Sequence, residues 1–278
     1  MKNNLIRFIW IAATLGMSVF QVHAQTYVKS GGHLVVASGA TLESLLTIYI
    51  DNGAEMVNNG TVILKRDLIN TSQAGPDDLG TGLFEFTGTQ NQSVSGLNIF
   101  EDLMLDNAAG LAVAGNTRVN GILTLNNGLV TLGTYNLLLG PSATVAGTPA
   151  ATKMVVPENT GEFRKEFPPT GQSGWSFTFP VGDASGTAEY SPVTLAFNSG
   201  TFGTDNYAGV NLADAQYPGT ATSYLSRYWN VSQSNISNFS CNATFKYIDP
   251  ADVNGTESDI FGFRVSPAPF TAYNASNT

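Results

Sequence analysis

"VNGILTLNNGLVTLGTYNLLLG", residues 119–140, admits two readings, and the choice between them decides the fold. Asn127-Gly128 between two alternating apolar runs is a strong hairpin signal. Yet the same phrase, a glycine followed by a short alternating strand, recurs through the first half of the chain. It opens at "GGHLVV" (31), "GATLES" (39), "GAEMVN" (53), "GTVILK" (60), "GLAVAG" (110), "GILTLN" (121) and "GLVTLG" (128). "LTIYID" (46–51) and "YNLLLG" (135–140) keep the beat without the leading glycine. A step of about seven residues, each ended by Gly or Asn, marks a β-solenoid. Three such strands predict coils of roughly 20 residues. Leu123, Leu125, Val130, Leu132, Leu137 and Leu139 would then point inward and Thr124 and Thr131 outward. Asn52, Asn59, Asn120 and Asn127 would sit at corners, where amides can bond up the stack. The alternative is an antiparallel sandwich of Asn-Gly hairpins.

The rest of the chain is β in pattern too. Charged residues are only 12% of it, glycine is abundant, and apolar residues alternate in short runs, so helical periodicity is nearly missing after residue 24. Near 147–163 the composition shifts. Aromatics become dense, and "GWSFTFPVG", "SPVTLAF", "SRYWNVS" and "NATFKYID" alternate as β-sandwich strands do. Most of these aromatics are expected in a core, with a sugar-stacking platform as the functional alternative. The predicted fold is all-β: a parallel β-solenoid over 25–150, then a β-sandwich over 151–278.

Residues 1–24 read as a secretory signal peptide: Lys2 and Arg7, the apolar run 8–20, and "VHA" before Gln25. The run is too short to span a bilayer comfortably, and no later segment does so. Without the leader, ten basic residues face twenty-one acidic ones, a net charge near −11. That argues against nucleic acid, which needs Lys/Arg clusters, and suits an extracellular surface. Cys241 is the single cysteine, so no internal disulfide holds the fold; it is expected as a small buried apolar residue. The mature chain has one histidine, His33, too few for a multi-histidine zinc site, and it is expected at a strand end on the surface.

The wording "FTGTQNQSVSG", "FEDLMLDNAAGLAVAGNTRVNGILTLNNGLVTLG", "FPVGDASGTAEYSPVTLAF" and "SRYWNVSQSNISNFSCNATFKYIDPADVNGTESDI" resembles repeat regions of large secreted surface proteins of Bacteroidota. The likeness covers most of residues 84–265. It implies an extracellular, often type IX-secreted, adhesin-like module. Such proteins often end in a β-sandwich sorting domain. This sequence lacks that tail, and it reads as a fragment of a longer protein truncated in its second domain.

Candidate chemistry is sparse. "DPADVNGTESD" places Asp249, Asp252, Asn254, Glu257 and Asp259 at near-alternate positions around Gly255, a weak calcium pattern that does not match an EF-hand. The bland reading is a solvated turn, and no other cofactor is expected. A β-helix could instead be a polysaccharide lyase or hydrolase, or its glycan-binding accessory. Lys65-Arg66-Asp67 is the only acid–base knot in the solenoid, and Asp77-Asp78 and Glu101-Asp102 are its paired carboxylates. An ice-binding face would need a regular outward Thr ladder, which the sequence lacks. The loop "NTSQAGPDDLGTG" (70–82) is expected to project from the coil. The resulting expectation is a non-catalytic structural or adhesin-like module, secreted or on the cell surface. Its partner would be an extracellular glycan or surface protein.

Overall fold

The computed structural model describes residues 8–11, 19–22, 25–72, 77–169, 174–219, 222–264 and 271–273. Residues 119–140 form part of a coil, not a hairpin. Leu123 pairs in parallel with Leu103 on one side and Val145 on the other. Val130 pairs in parallel with Leu111 and Val155. Asn127-Gly128 is therefore a corner. Gly128 has φ +92°, and a Cβ there would lie 1.9 Å from the Asn107 carbonyl oxygen of the preceding coil. A left-handed backbone and a close neighbour both require glycine.

The chain visits three parallel sheets in strict rotation. One face carries His33–Val36, Glu55–Asn58, Asp77–Asp78, Asn98–Phe100, Thr117–Val119, Leu137–Leu139 and Phe163–Lys165. The backbone N–H of Asn58 donates to Leu79 O, which carries this face across its one interruption. The second face runs from Thr41–Ser44 through Thr61–Leu64, Leu83–Phe86, Asp102–Asp106 and Ile122–Asn127 to Thr144–Gly147. The third runs from Thr26–Val28 through Ile48–Ile50, Leu68–Asn70, Gln92–Ser95, Leu111–Ala114 and Val130–Thr131 to Val155–Val156. About six turns result. Register partners lie about one coil apart, as Thr41, Thr61 and Leu83 do.

Alternation supplies the core. Leu42, Val62, Phe84, Leu103 and Leu123 stack inward on one face, all within 1% exposure. Leu132, Leu137 and Leu139 are buried as well, while Thr124 and Thr131 face outward and half-buried, as the alternation predicts. Each fully buried Leu, Val or Phe contributes about 1.5–3 kcal/mol. The corner asparagines named from the sequence lie at the surface, and one of them, Asn59, bonds up the stack by accepting from the Thr81 N–H and hydroxyl. Asn52, Asn59 and Asn127 are exposed and Asn120 is half-exposed, whereas Asn58, Asn70, Asn98 and Asn107 are buried. Asn70 Nδ2 donates to Asn98 Oδ1 at 2.9 Å, and Asn107 Nδ2 donates to Gln92 Oε1 at 3.0 Å. Asn58 and Asn70 close strands, Asn98 opens one and Asn107 follows one, and burial strengthens their bonds.

The stack runs beyond residue 150. Val155–Val156 and Phe163–Lys165 pair in parallel with the coil before them, so the boundary read from composition falls within the last coil, in the corner after Gly147. Phe8–Ile11 and Val19–Val22, inside the expected leader, stack in register on His33–Val36 and Thr41–Ser44. Of the loop 70–82, Pro76 lies outside the described residues. Asp77–Asp78 is a rung strand rather than a projection, and Leu79 beside it is 1% exposed.

Past Lys165 the chain turns antiparallel. Two long strands, Val193–Ala213 and Tyr228–Phe245, form one ribbon. Register shifts between Phe197 and Tyr207 bend it, and Asp205, Asn235 and Asn238 take positive φ there. One half of the ribbon, Val210 to Ala208, caps Phe163–Lys165; the other half pairs with Trp175–Phe179. Strands that change layer at bulges build two packed sheets. Phe163 meets Phe177 and Phe179 edge-on across them, and Trp229 lies 5.2 Å from Phe245 of its own strand. The C-terminal part is thus sandwich-like. Among the described residues the one helical element is a 3-10 turn, Glu257–Asp259, and no helix is long and apolar enough to cross a membrane.

Candidate functional site

The solenoid's ionic candidates are engaged with the scaffold. Asp67 Oδ1 accepts the Ser93 backbone N–H at 2.7 Å, and the Arg66 carbonyl accepts from Gln92. Lys65 Nζ reaches Thr87 Oγ1 at 3.0 Å and Glu43 at 3.4 Å. Asp78 accepts the Gly80 N–H, and Asp102 accepts the Ile122 N–H at 2.7 Å. His33 is exposed, with Nδ1 2.6 Å from Glu55 Oε2 one coil on. Ser93 and Ile122 stand at the beginning of their strands and Gly80 just after Asp77–Asp78, so these bonds satisfy donors near strand ends.

The acidic stretch 249–259 is drawn toward a residue the sequence reading passed over, Arg227. Its side chain is 1% exposed. One nitrogen donates to Asp183 and Ser191 at 2.7 Å each; the other donates to Asp252 at 2.8 Å and to Glu189. Asp252 also accepts from Ser226 Oγ and the Ile248 N–H. Burial alone would raise the Asp252 pKa, but these donors and the guanidinium hold it below the ordinary value. At Asp183 burial prevails over the guanidinium, and its pKa is raised. One cation thus gathers three carboxylates from three segments, a geometry suited to the forked guanidinium.

Of the five calcium candidates, Asp252 faces this cluster. Glu257 accepts the Tyr247 hydroxyl, which is pushed up to about 12 by that bond first and by burial second. Asn254 pairs through its backbone with Tyr224. Asp249 and Asp259 are exposed. Among the described residues no group of three or more His, Cys, Asp or Glu side chains is arranged to hold a metal. The signal for Arg227 was faint: a lone arginine opening an aromatic strand, "SRYWNV".

The other concave feature lies where the solenoid ends. A wide groove of about 550 Å³ runs between Pro141–Val145 of the last coil and Trp175–Thr178, floored by Phe167 and Lys165. Lys165 is 5% exposed, and its ammonium donates to the carbonyls of Gly140, Pro141 and Ala143 at 2.5–2.9 Å. Burial lowers its pKa to about 8. Those carbonyls lie at the corner entering the last rung, so the lysine plugs the end of the stack. The neighbouring Glu166 is held by both Arg118 nitrogens, at 2.7 and 2.6 Å.

Among the sandwich aromatics, Phe163, Phe167, Phe179, Phe197 and Phe202 are core, while Phe239 and Phe261 are 47% and 54% exposed. Cys241 is half-buried on the Tyr228–Phe245 strand rather than enclosed, because that strand pairs on one side only among the described residues. Comparison with protein families, curated proteins and solved structures gives no match to this chain.

Proposed function

We propose that this chain is a non-catalytic structural or adhesin-like module of a secreted or cell-surface bacterial protein. The solenoid acts as a stiff stalk, and the sandwich-like end as a spacer or weak binding unit. The observation that carries this reading is the use of the acids. Asp67, Asp78, Asp102 and Asp252 each accept a backbone N–H that the fold would otherwise leave unpaired. A catalytic carboxylate pair needs freedom to face substrate across a cleft. The acidic sequence and the leader-like residues 1–24 support export and an extracellular setting.

The partner class is an extracellular glycan or a surface protein. The test uses residues 25–278 on immobilised glycans and surface proteins, with a parallel assay for reducing ends released from acidic and neutral polysaccharides. Retention without release is the expected result. Release of reducing ends that is lost in Asp67→Ala would overturn the proposal in favour of a polysaccharide-degrading β-helix.

A further inference from the structure

The three sheets of the solenoid do not end alike. The face ending at Phe163–Lys165 is continued by the long strand Val193–Ala213. The face ending at Val155–Val156 is continued by a parallel bridge from Val155 to Val181. The third face stops at Thr144–Gly147, which among the described residues pairs with Ile122–Asn127 alone. In the rotation of the chain, the next strand of this face is due just after Lys165. The sequence there is Glu166-Phe167-Pro168-Pro169, and two prolines without N–H groups cannot supply a ladder. The groove of about 550 Å³ occupies this place.

Its two walls are strand edges. One wall is Thr144 and Val145 with the corner 141–143 that leads into them, and the other is the consecutive strand residues 175–178. Trp175–Phe179 likewise pairs with one neighbour only among the described residues. Thr144 donates its N–H inward to Gly121 O, so the next N–H, that of Val145, is directed to the open side. Phe167, Phe177 and Val145 give the lining its apolar part, beside Lys165. Trp175 Nε1 is buried without a hydrogen-bond acceptor among the described residues.

We infer that this groove is a strand-acceptor slot, occupied by an extended segment of a partner protein that adds the missing strand to the open sheet. The sheet itself specifies the occupant. Four of its rungs read "TVIL", "LFEF", "DLML" and "ILTL", with inward apolar residues at the second and fourth positions, and the terminal rung, "TVAG", keeps the second. An added strand of that pattern would lay its apolar residues on Phe167 and Phe177 and take its backbone bonds from the edge. Main-chain bonds would give affinity and the alternation specificity. Lys165 supports the assignment. Its ammonium already satisfies the corner carbonyls, so the slot asks of its occupant a strand and not a new corner. The inference rests on the adhesin-like reading only for the class of partner.

The test is a fluorescein-labelled peptide carrying "GILTLNN", the sequence of residues 121–127, with uncharged flanks, titrated with residues 25–278 and read by anisotropy. Saturable binding is expected, weakened about tenfold or more when proline replaces the central threonine. The protein variant Val145→Pro should weaken it to a similar degree, because an edge strand tolerates proline but loses the open donor. Should that variant fail to fold, hydrogen exchange on the unmodified protein decides instead. Peptide must slow exchange at Val145 and Gly147; protection elsewhere overturns the slot. Equal binding of both peptides, or no binding up to about 1 mM, also overturns it. Concentration-dependent dimers that protect these amides would reassign the occupant to a second copy. A neutral oligosaccharide that binds while the peptide does not would overturn the slot and leave the adhesin-like module standing.

Discussion

Gly128→Ala separates the coil from the hairpin energetically. Gly128 has φ +92°, and its Cβ position lies 1.9 Å from Asn107 O, 2.9 Å from Asn107 C and 3.3 Å from Gly110 N. Gly133, in the same coil, has φ +56° and nothing within 4 Å of its Cβ position; Gly39, at φ +78°, is equally open. All three alanine variants incur the left-handed backbone penalty, about 1–2 kcal/mol. Only Gly128→Ala adds a clash with the backbone of the adjacent coil, which cannot rotate away as a side chain can. Overpacking of this kind costs about 1–3 kcal/mol more. The expected loss is therefore about 2–5 kcal/mol for Gly128→Ala against about 1–2 kcal/mol for the two controls. Urea unfolding of residues 25–278, followed by far-UV circular dichroism, reads the difference. In an isolated hairpin no neighbouring coil exists, and Gly128→Ala would match Gly133→Ala. Equal losses would refute the stacking argument.

Three further outcomes follow from the geometry. Leu123→Ala, at a fully buried position, should cost about 2–5 kcal/mol, and Ile122→Ala, at 42% exposure, less than about 1 kcal/mol in the same urea assay. Asp252→Asn should destabilise clearly more than Asp183→Asn, because Asp252 holds Arg227, Ser226 and the Ile248 N–H while Asp183 is opposed by burial. The Asp252 contribution is present above its unfolded value of 3.8 and is lost as pH falls through its lower folded value. Asp183 has the opposite sign and gains as it is protonated above 3.8, so acid titration of melting should be steeper in Asp183→Asn than in the unmodified chain. Lys165, with a folded pKa of about 8 against 10.5 unfolded, binds fewer protons when folded across that interval. Stability should therefore rise from pH 8 to 10 by this group, and Lys165→Met, expected to lose about 1–3 kcal/mol at neutral pH through its orphaned carbonyls, should lack that rise.

The solenoid was legible because its signal is periodic. A seven-residue beat of glycine and alternating apolar residues names the rungs, and Leu123, Val130 and Leu137 lie where that beat puts them. Of the corner amides, Asn59 bonds up the stack to Thr81 as expected, but the buried amides beside the corners were not read. Asn59 is exposed and Asn58 buried, and adjacent asparagines at a corner give periodicity no means of choosing between them. The end of the stack was invisible for a different reason. Phe163–Lys165 puts a lysine where Phe100, Val119 and Leu139 stand in the rungs before it, and only tertiary contact shows that Lys165 is a plug. Arg227 was missed because its partners Asp183, Glu189 and Asp252 lie 25 or more residues away in sequence. Spacing read acids near one another as a ligand set. The fold pairs acids that are distant with one internal cation.

The antiparallel ribbon that closes the stack has a mechanical consequence. In the solenoid every coil is bonded to the next along the axis, so tension between the two ends of the chain loads one rung at a time. A coil of about 20 residues stretches from one rung spacing, about 5 Å, to roughly 70 Å when released. Pulling should thus give evenly spaced extensions of about 60–65 Å at low force. The ribbon differs, for its two halves are clamped into separate layers and joined by a bend at Phe197–Tyr207. Its entry and exit, Val193 and Phe245, are register partners, so the same pull would open it from that end one pair at a time. The molecule is a tether that lengthens in counted increments, with a head that opens by peeling.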